Sequence, residues 1–93
     1  MRDVYELTDE ELEDCFNGSS STHMVREILE KPGVVTLEGY VETERFAEWF
    51  AYGIEGYIDA DEGTAEYTEA WDNNFDWGMT IADNINDYLD ADE

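Results

Sequence analysis

Few residues in this chain are equipped for chemistry, apart from the carboxylates, of which there are very many. Cys15 and His23 are the only cysteine and the only histidine. A cysteine with a histidine as base makes a nucleophile pair, but these two fall on different predicted helices. A lone cysteine on a helical apolar stripe is the usual mark of core packing, and His23 reads as a polar residue in the first turn of a helix. Two carboxylates can divide acid and base work between them, yet in a chain with 26 Asp and Glu some pair is always close. No glycine-rich phosphate loop and no zinc ligand set is present. The sequence therefore gives no expectation of catalysis, of a metal or of a cofactor.

Charge is the informative feature. Against the 26 acids stand Arg2, Arg26, Lys31 and Arg45, and the net charge is -22. Residues 1–45 hold 12 acids and all four bases, whereas residues 46–93 hold 14 acids and no Lys or Arg. Binding phosphates needs a basic footprint, so direct contact with nucleic acid is excluded. No run approaches the ~18 apolar residues of a membrane span. The acidic start, Met1 to Glu6, does not read as a signal peptide, and one cysteine without an internal partner fits a reducing cytoplasm. Simple disorder is also disfavoured, because 42% of residues are hydrophobic and 14% aromatic, with three Trp and six Tyr.

The elements that must carry these charges read as helices. Thr8 followed by Glu11 is a capping box for a first helix whose stripe is Leu12, Cys15 and Phe16, ended by Gly18. Ser21 or Thr22 starts a second, with Met24, Val25, Ile28 and Leu29 on one face and Pro32-Gly33 as the stop. Val34 to Leu37 is an extended connector or one small strand. A third helix follows from the spacing of Phe46, Trp49, Phe50, Gly53, Ile54, Tyr57 and Ile58, with Gly53 on the stripe for close approach of a neighbour. Thr64 caps a fourth with Tyr67, Ala70 and Trp71 inward, Asp72-Asn73-Asn74 reads as a turn, and a last helix buries Ile81, Ile85, Tyr88 and Leu89. The expected fold is one small, mainly α domain of four or five short helices, with residues 34–37 as its only candidate strand.

Asp72, Asn74, Asp76 and Asp83 stand at positions one, three, five and twelve of a segment that resembles an EF-hand calcium loop. The resemblance covers twelve residues. It departs at position six, where Trp77 replaces the turn glycine, and at position twelve, where Asp83 replaces the bidentate Glu. An Asn/Asp-rich turn is the plainer reading. The aromatics Trp49, Phe50, Tyr52 and Tyr57 read first as core. Their number also suits an interface, and a homodimer through the third helix is a secondary expectation.

Carboxylates one helical turn apart recur every ~5–6 Å, near the spacing of phosphates along a DNA strand. Glu44, Glu48, Glu55 and Asp59 form one such row, Glu62, Glu66, Glu69, Asp72 and Asp76 a second, and Asp83, Asp87 and Asp90 a third. Duplex DNA carries a charge per about 1.7 Å, so the net charge matches about 37 Å of duplex, against a diameter of roughly 32 Å for a globule of this length. In size, acidity and carboxylate rows the chain resembles the DNA-mimic proteins of phages and mobile elements, which include antirestriction and anti-CRISPR proteins. The resemblance implies an inhibitor that fills the basic channel of a nucleic-acid-binding protein and keeps the true substrate out. Two other readings use the same composition: a halophilic cytoplasmic domain, and an acidic adaptor or antitoxin-like binder of a basic protein.

Overall fold

The computed structural model describes residues 3–16 and 21–91. Four helices occupy them: α1 (Asp9–Phe16), α2 (Thr22–Leu29), α3 (Thr43–Ile54) and α4 (Ala65–Ala91). Short 3-10 turns precede α1 at Val4–Glu6 and follow α3 at Glu55–Tyr57. The chain is a mainly helical single domain without a sheet among the described residues.

The helix starts follow local chemistry. The Thr8 hydroxyl accepts from the Glu11 amide at 3.2 Å, and the Glu11 carboxylate accepts from the Thr8 amide at 2.8 Å, closing the capping box. Ser21 accepts from the Met24 amide to cap α2, and Thr64 from the Tyr67 amide to cap α4. The expected stop of the first helix, Gly18, lies outside the described residues.

Residues 34–42 are not a strand. Val35 and Val41 form one isolated antiparallel bridge, and Thr36 and Glu42 donate across it to Tyr40 and Val34. Gly39 turns this loop at φ +90°, and a Cβ there would run into Asp3, whose neighbour Val4 donates its amide to the Gly39 carbonyl. Asn86 then ties the loop to α4. Its side-chain oxygen accepts from the Val41 amide at 2.8 Å, and its amide donates to the Val41 carbonyl at 2.9 Å.

Two helix boundaries differ from expectation. The third helix ends at Ile54, not beyond Ile58, and Tyr57 is 87% exposed. Gly53 and Gly56 weaken that stretch. Conversely, the expected turn at residues 72–74 is absent, and a single helix of 27 residues replaces the two short ones. Asp72 and Asn73 face solvent, while Trp71 sits edge-on to Tyr52 at 5.5 Å and Trp77 edge-on to Phe50 at 5.0 Å. Packing against α3 on both sides of the Asn/Asp run outweighs its weak helix propensity.

The core is assembled around α4. Phe46 and Phe50 of α3, Leu12 and Phe16 of α1, Val25 and Leu29 of α2, and Ile81, Ile85 and Leu89 of α4 are all buried. The close-approach glycine is Gly78 rather than Gly53: a Cβ at Gly78 would lie 2.8 Å from the Ala47 Cα and 3.0 Å from the Phe50 Cβ. The buried residues of α4 are Gly78, Ile81, Ala82, Ile85 and Leu89, so the core grips its C-terminal half, and the N-terminal half lies half-covered on α3. A helix of this length spans about 40 Å, and the domain measures 45 × 25 × 18 Å. It is longer and narrower than the globule expected from its size.

Candidate functional site

The second and third carboxylate rows merge on α4. At about 100° per residue, Glu69, Asp72, Asp76, Asp83, Asp87 and Asp90 fall within an arc of about 60°. Glu66 stands beside that arc. All seven are exposed. The arc lies roughly opposite the buried line of Gly78, Ile81, Ala82, Ile85 and Leu89, so burying one face turns the other, acid by acid, into water. Glu69 to Asp90 covers about 32 Å of helix axis, so its six carboxylates stand about 6 Å apart on average, with the widest gap, about 10 Å, between Asp76 and Asp83.

Neighbouring elements border this stripe without neutralising it. Residue Asn84, on one flank, donates to the Cys15 carbonyl at 2.8 Å, and the Tyr88 hydroxyl donates to the Glu11 carboxylate at 3.0 Å. These contacts set α1 antiparallel to the C-terminal half of α4. On the other flank lies the Asn86 clasp to Val41, and Tyr40 donates its hydroxyl to Asp90 at 2.7 Å. The described cations are elsewhere: Arg26 pairs with Asp9 at 2.7 Å, Lys31 lies over the Trp49 ring at 5.0 Å, and Arg45 is on α3. Among the described residues no carboxylate of the stripe joins an ion pair with a basic side chain.

The other expected site residues are placed differently. Glu44 and Glu48 keep their one-turn spacing on the exposed surface of α3, but Glu55 enters the 3-10 turn and Asp59 lies past it in irregular chain. That row therefore breaks after two members, because the helix that was to carry it ends at Ile54. Glu62 is exposed in the turn before α4 and is not part of the helical stripe. Conversely, Glu10, Glu13 and Asp14 of α1 are exposed on the helix docked beside Asn84 and Tyr88. They extend the anionic surface, and only the antiparallel pairing of distant helices brings them there.

The calcium-loop resemblance is overturned. An EF-hand needs a loop whose oxygens converge, whereas Asp72 to Asp83 is continuous helix. Asp72 and Asn74 point about 200° apart on it. Among the described residues no group of three His, Cys, Asp or Glu is arranged to hold a metal ion.

The Cys15 thiol is buried, and its pKa is pushed up to about 11, first by desolvation and then by the Asp14 and Glu11 carboxylates. At neutral pH it carries almost no thiolate, the reactive form. His23 is exposed and sits 3.1 Å from Glu27 on its own helix.

Aromatic rings lie beside the N-terminal half of the stripe. Tyr52, Glu55, Tyr67, Thr68, Trp71 and Asp72 line an open cleft of about 320 Å³. The Tyr67 hydroxyl is held above its ordinary pKa by desolvation, by the Glu55 and Glu62 carboxylates, and by its hydrogen bond to Glu55. Trp49 and Tyr52, expected in the core, are 38% and 52% exposed, while Phe50 is buried.

No known family model, curated protein or solved structure matches the chain. No helix among the described residues is long and apolar enough to cross a membrane.

Proposed function

We propose that this protein is a nucleic-acid-mimicking inhibitor that lays the acidic face of α4 into the basic channel of a nucleic-acid-binding protein, such as a CRISPR effector or restriction enzyme. One observation carries the reading: six exposed carboxylates on a single face of one helix, opposite the core, with no basic side chain paired to them among the described residues. A scattered acidic surface keeps a protein soluble, and far fewer charges than these are enough for that. A straight row on a helix of about 40 Å gives a channel built for a phosphate backbone an opposing line of charge. The row holds about half the axial charge density of one DNA strand, which has one phosphate per ~3.4 Å. Glu66 and the α1 acids Glu10, Glu13 and Asp14 add to it. Binding would exchange counter-ions and water for Lys/Arg–carboxylate pairs, and association would be steered and fast at low salt.

The test is capture of host proteins on the immobilised chain at low salt, elution by a salt gradient and competition with duplex DNA. The expected result is one nucleic-acid-processing enzyme, displaced by DNA and lost with the triple variant Asp76→Asn, Asp83→Asn, Asp87→Asn. A scatter of basic proteins released at modest salt, or capture unaffected by DNA and by the variant, refutes the proposal.

A further inference from the structure

We propose that the cleft between Tyr52, Tyr67 and Trp71, rimmed by Glu55 and Asp72, takes an arginine side chain of the basic partner. This rests on the reading above that the partner is a basic protein.

The rings are set for a flat cation. Tyr52 and Trp71 meet edge-on, with centroids 5.5 Å apart and planes at 69°, so they form two walls of a corner. Trp71 is backed by Phe75 in a stacked contact at 5.9 Å, which fixes its ring. The Glu55 carboxylate lines the rim beside Tyr67. Asp72 belongs both to the rim and to the α4 stripe, so the cleft opens at the edge of the charged row.

The molecule already holds a cation against an aromatic ring in a neighbouring cleft. The adjacent cleft is lined by Met24, Glu27, Lys31, Trp49 and Tyr52 among others, and there Lys31 lies over the Trp49 ring at 5.0 Å. Tyr52 is a wall of both clefts. In one, the chain's own ammonium lies over a single aromatic face, that of Trp49. In the other, Trp71, two tyrosines and two carboxylates stand without a described cation, and no Lys or Arg follows Arg45 in the sequence.

Charge and shape select the occupant. A second copy would bring another net -22 against Glu55 and Asp72. A guanidinium is planar, stacks on aromatic faces, and presents a fork of N–H donors to carboxylates, whereas an ammonium does neither as well.

The experiment titrates the isotope-labelled full chain with hexa-arginine and with hexa-lysine at physiological salt, following the Trp71 indole and the backbone amides by NMR. Hexa-arginine is expected to shift the Trp71 indole at about tenfold lower concentration than hexa-lysine. Tyr52→Leu, and separately the pair Glu55→Gln and Asp72→Asn, are expected to remove that preference. Asp83→Asn with Asp87→Asn is expected to weaken both peptides but keep it. The cleft variants alter exposed or half-exposed side chains, and retained amide dispersion shows that they fold. Equal response to both peptides, with shifts confined to residues 76–90, would overturn the arginine site and leave the mimic reading standing. Binding of neither peptide would remove both. Trp71 shifts that grow with protein concentration alone would overturn the site by assigning it to a second copy.

Discussion

Neutralising part of the stripe should make the protein more stable. Asp83 and Asp87 are four residues apart on α4, and Asp87 and Asp90 three apart, so Asp83→Asn with Asp87→Asn removes two like-charge neighbour pairs. Each is worth about 0.2–0.5 kcal/mol. The exposed acids of α1, docked beside Asn84 and Tyr88, repel the same two side chains. Asp87 also lies near the C-terminal end of the helix, where the macrodipole disfavours an anion. Asn and Asp have similar helix propensity, and both side chains are exposed, so little packing is lost. The gain should be about 1 kcal/mol at low ionic strength, which for a domain of this size raises Tm by about 4–8 °C. Thermal melts of both proteins at 10 mM and at 1 M NaCl test it, because the screening length falls from about 30 Å to about 3 Å between them. The increment should be present at the first and largely gone at the second. A lower Tm at low salt, or a gain that persists unchanged at 1 M, would refute the claim that these carboxylates repel one another across an unneutralised face.

Further outcomes follow from single contacts. Asn86→Ala leaves the amide and carbonyl of the buried Val41 without their partners, and denaturant unfolding should show a loss of about 2–4 kcal/mol. Gly78→Leu forces a side chain against the Ala47 backbone and Phe50 and should cost about 2–3 kcal/mol despite the better helix former. Gly53→Ala meets only the mobile end of Met24, at 2.8 Å, and should stabilise by up to about 1 kcal/mol; a loss at Gly53 equal to that at Gly78 would contradict the assignment of the close helix approach. Because folding raises the Cys15 pKa from 9.0 to about 11, its contribution is full below pH 9. It falls by about 2–3 kcal/mol as the pH rises through 11. Cys15→Ala should flatten that part of the stability–pH curve, and the native thiol should react with a disulfide reagent only as fast as the protein unfolds.

What could be read in advance follows the range of the interactions. The capping residues Thr8, Glu11, Ser21 and Thr64 act within three positions of themselves, and each did what its spacing implied. The row on Asp83, Asp87 and Asp90 likewise depends only on a helix being there. The continuity of α4 was not legible, since Asp72-Asn73-Asn74 has the local chemistry of a turn. What overrides it is the packing of Trp71 and Trp77 on Tyr52 and Phe50, some twenty to thirty residues away. The same error split one stripe into two rows and lent the segment its likeness to a calcium loop. Apolar periodicity carried the third helix too far because Tyr57 fits the pattern but stays exposed, and Gly53 and Gly56 weaken the stretch that leads to it. A trace of the truth was present in Gly78, a glycine amid helical spacing that proved to sit against Ala47.

Salt should act in opposite directions on folding and on binding, and that separates mimicry from adaptation to a salty cytoplasm. Screening relieves the repulsion along α4 and so favours the folded chain under either reading. A partner whose basic groove meets the stripe does the same work as salt, by placing cations opposite carboxylates, and the two therefore compete. For an inhibitor of this kind, affinity falls steadily with ionic strength over the range in which the isolated domain gains stability. Neutralising Asp76, Asp83 and Asp87 should reduce both slopes together, since the same charges set them. A domain whose acidity only suits high salt has the first slope and no partner to give the second. Measuring both slopes on the native chain and on that triple variant tells whether the face that destabilises the fold is the one that binds.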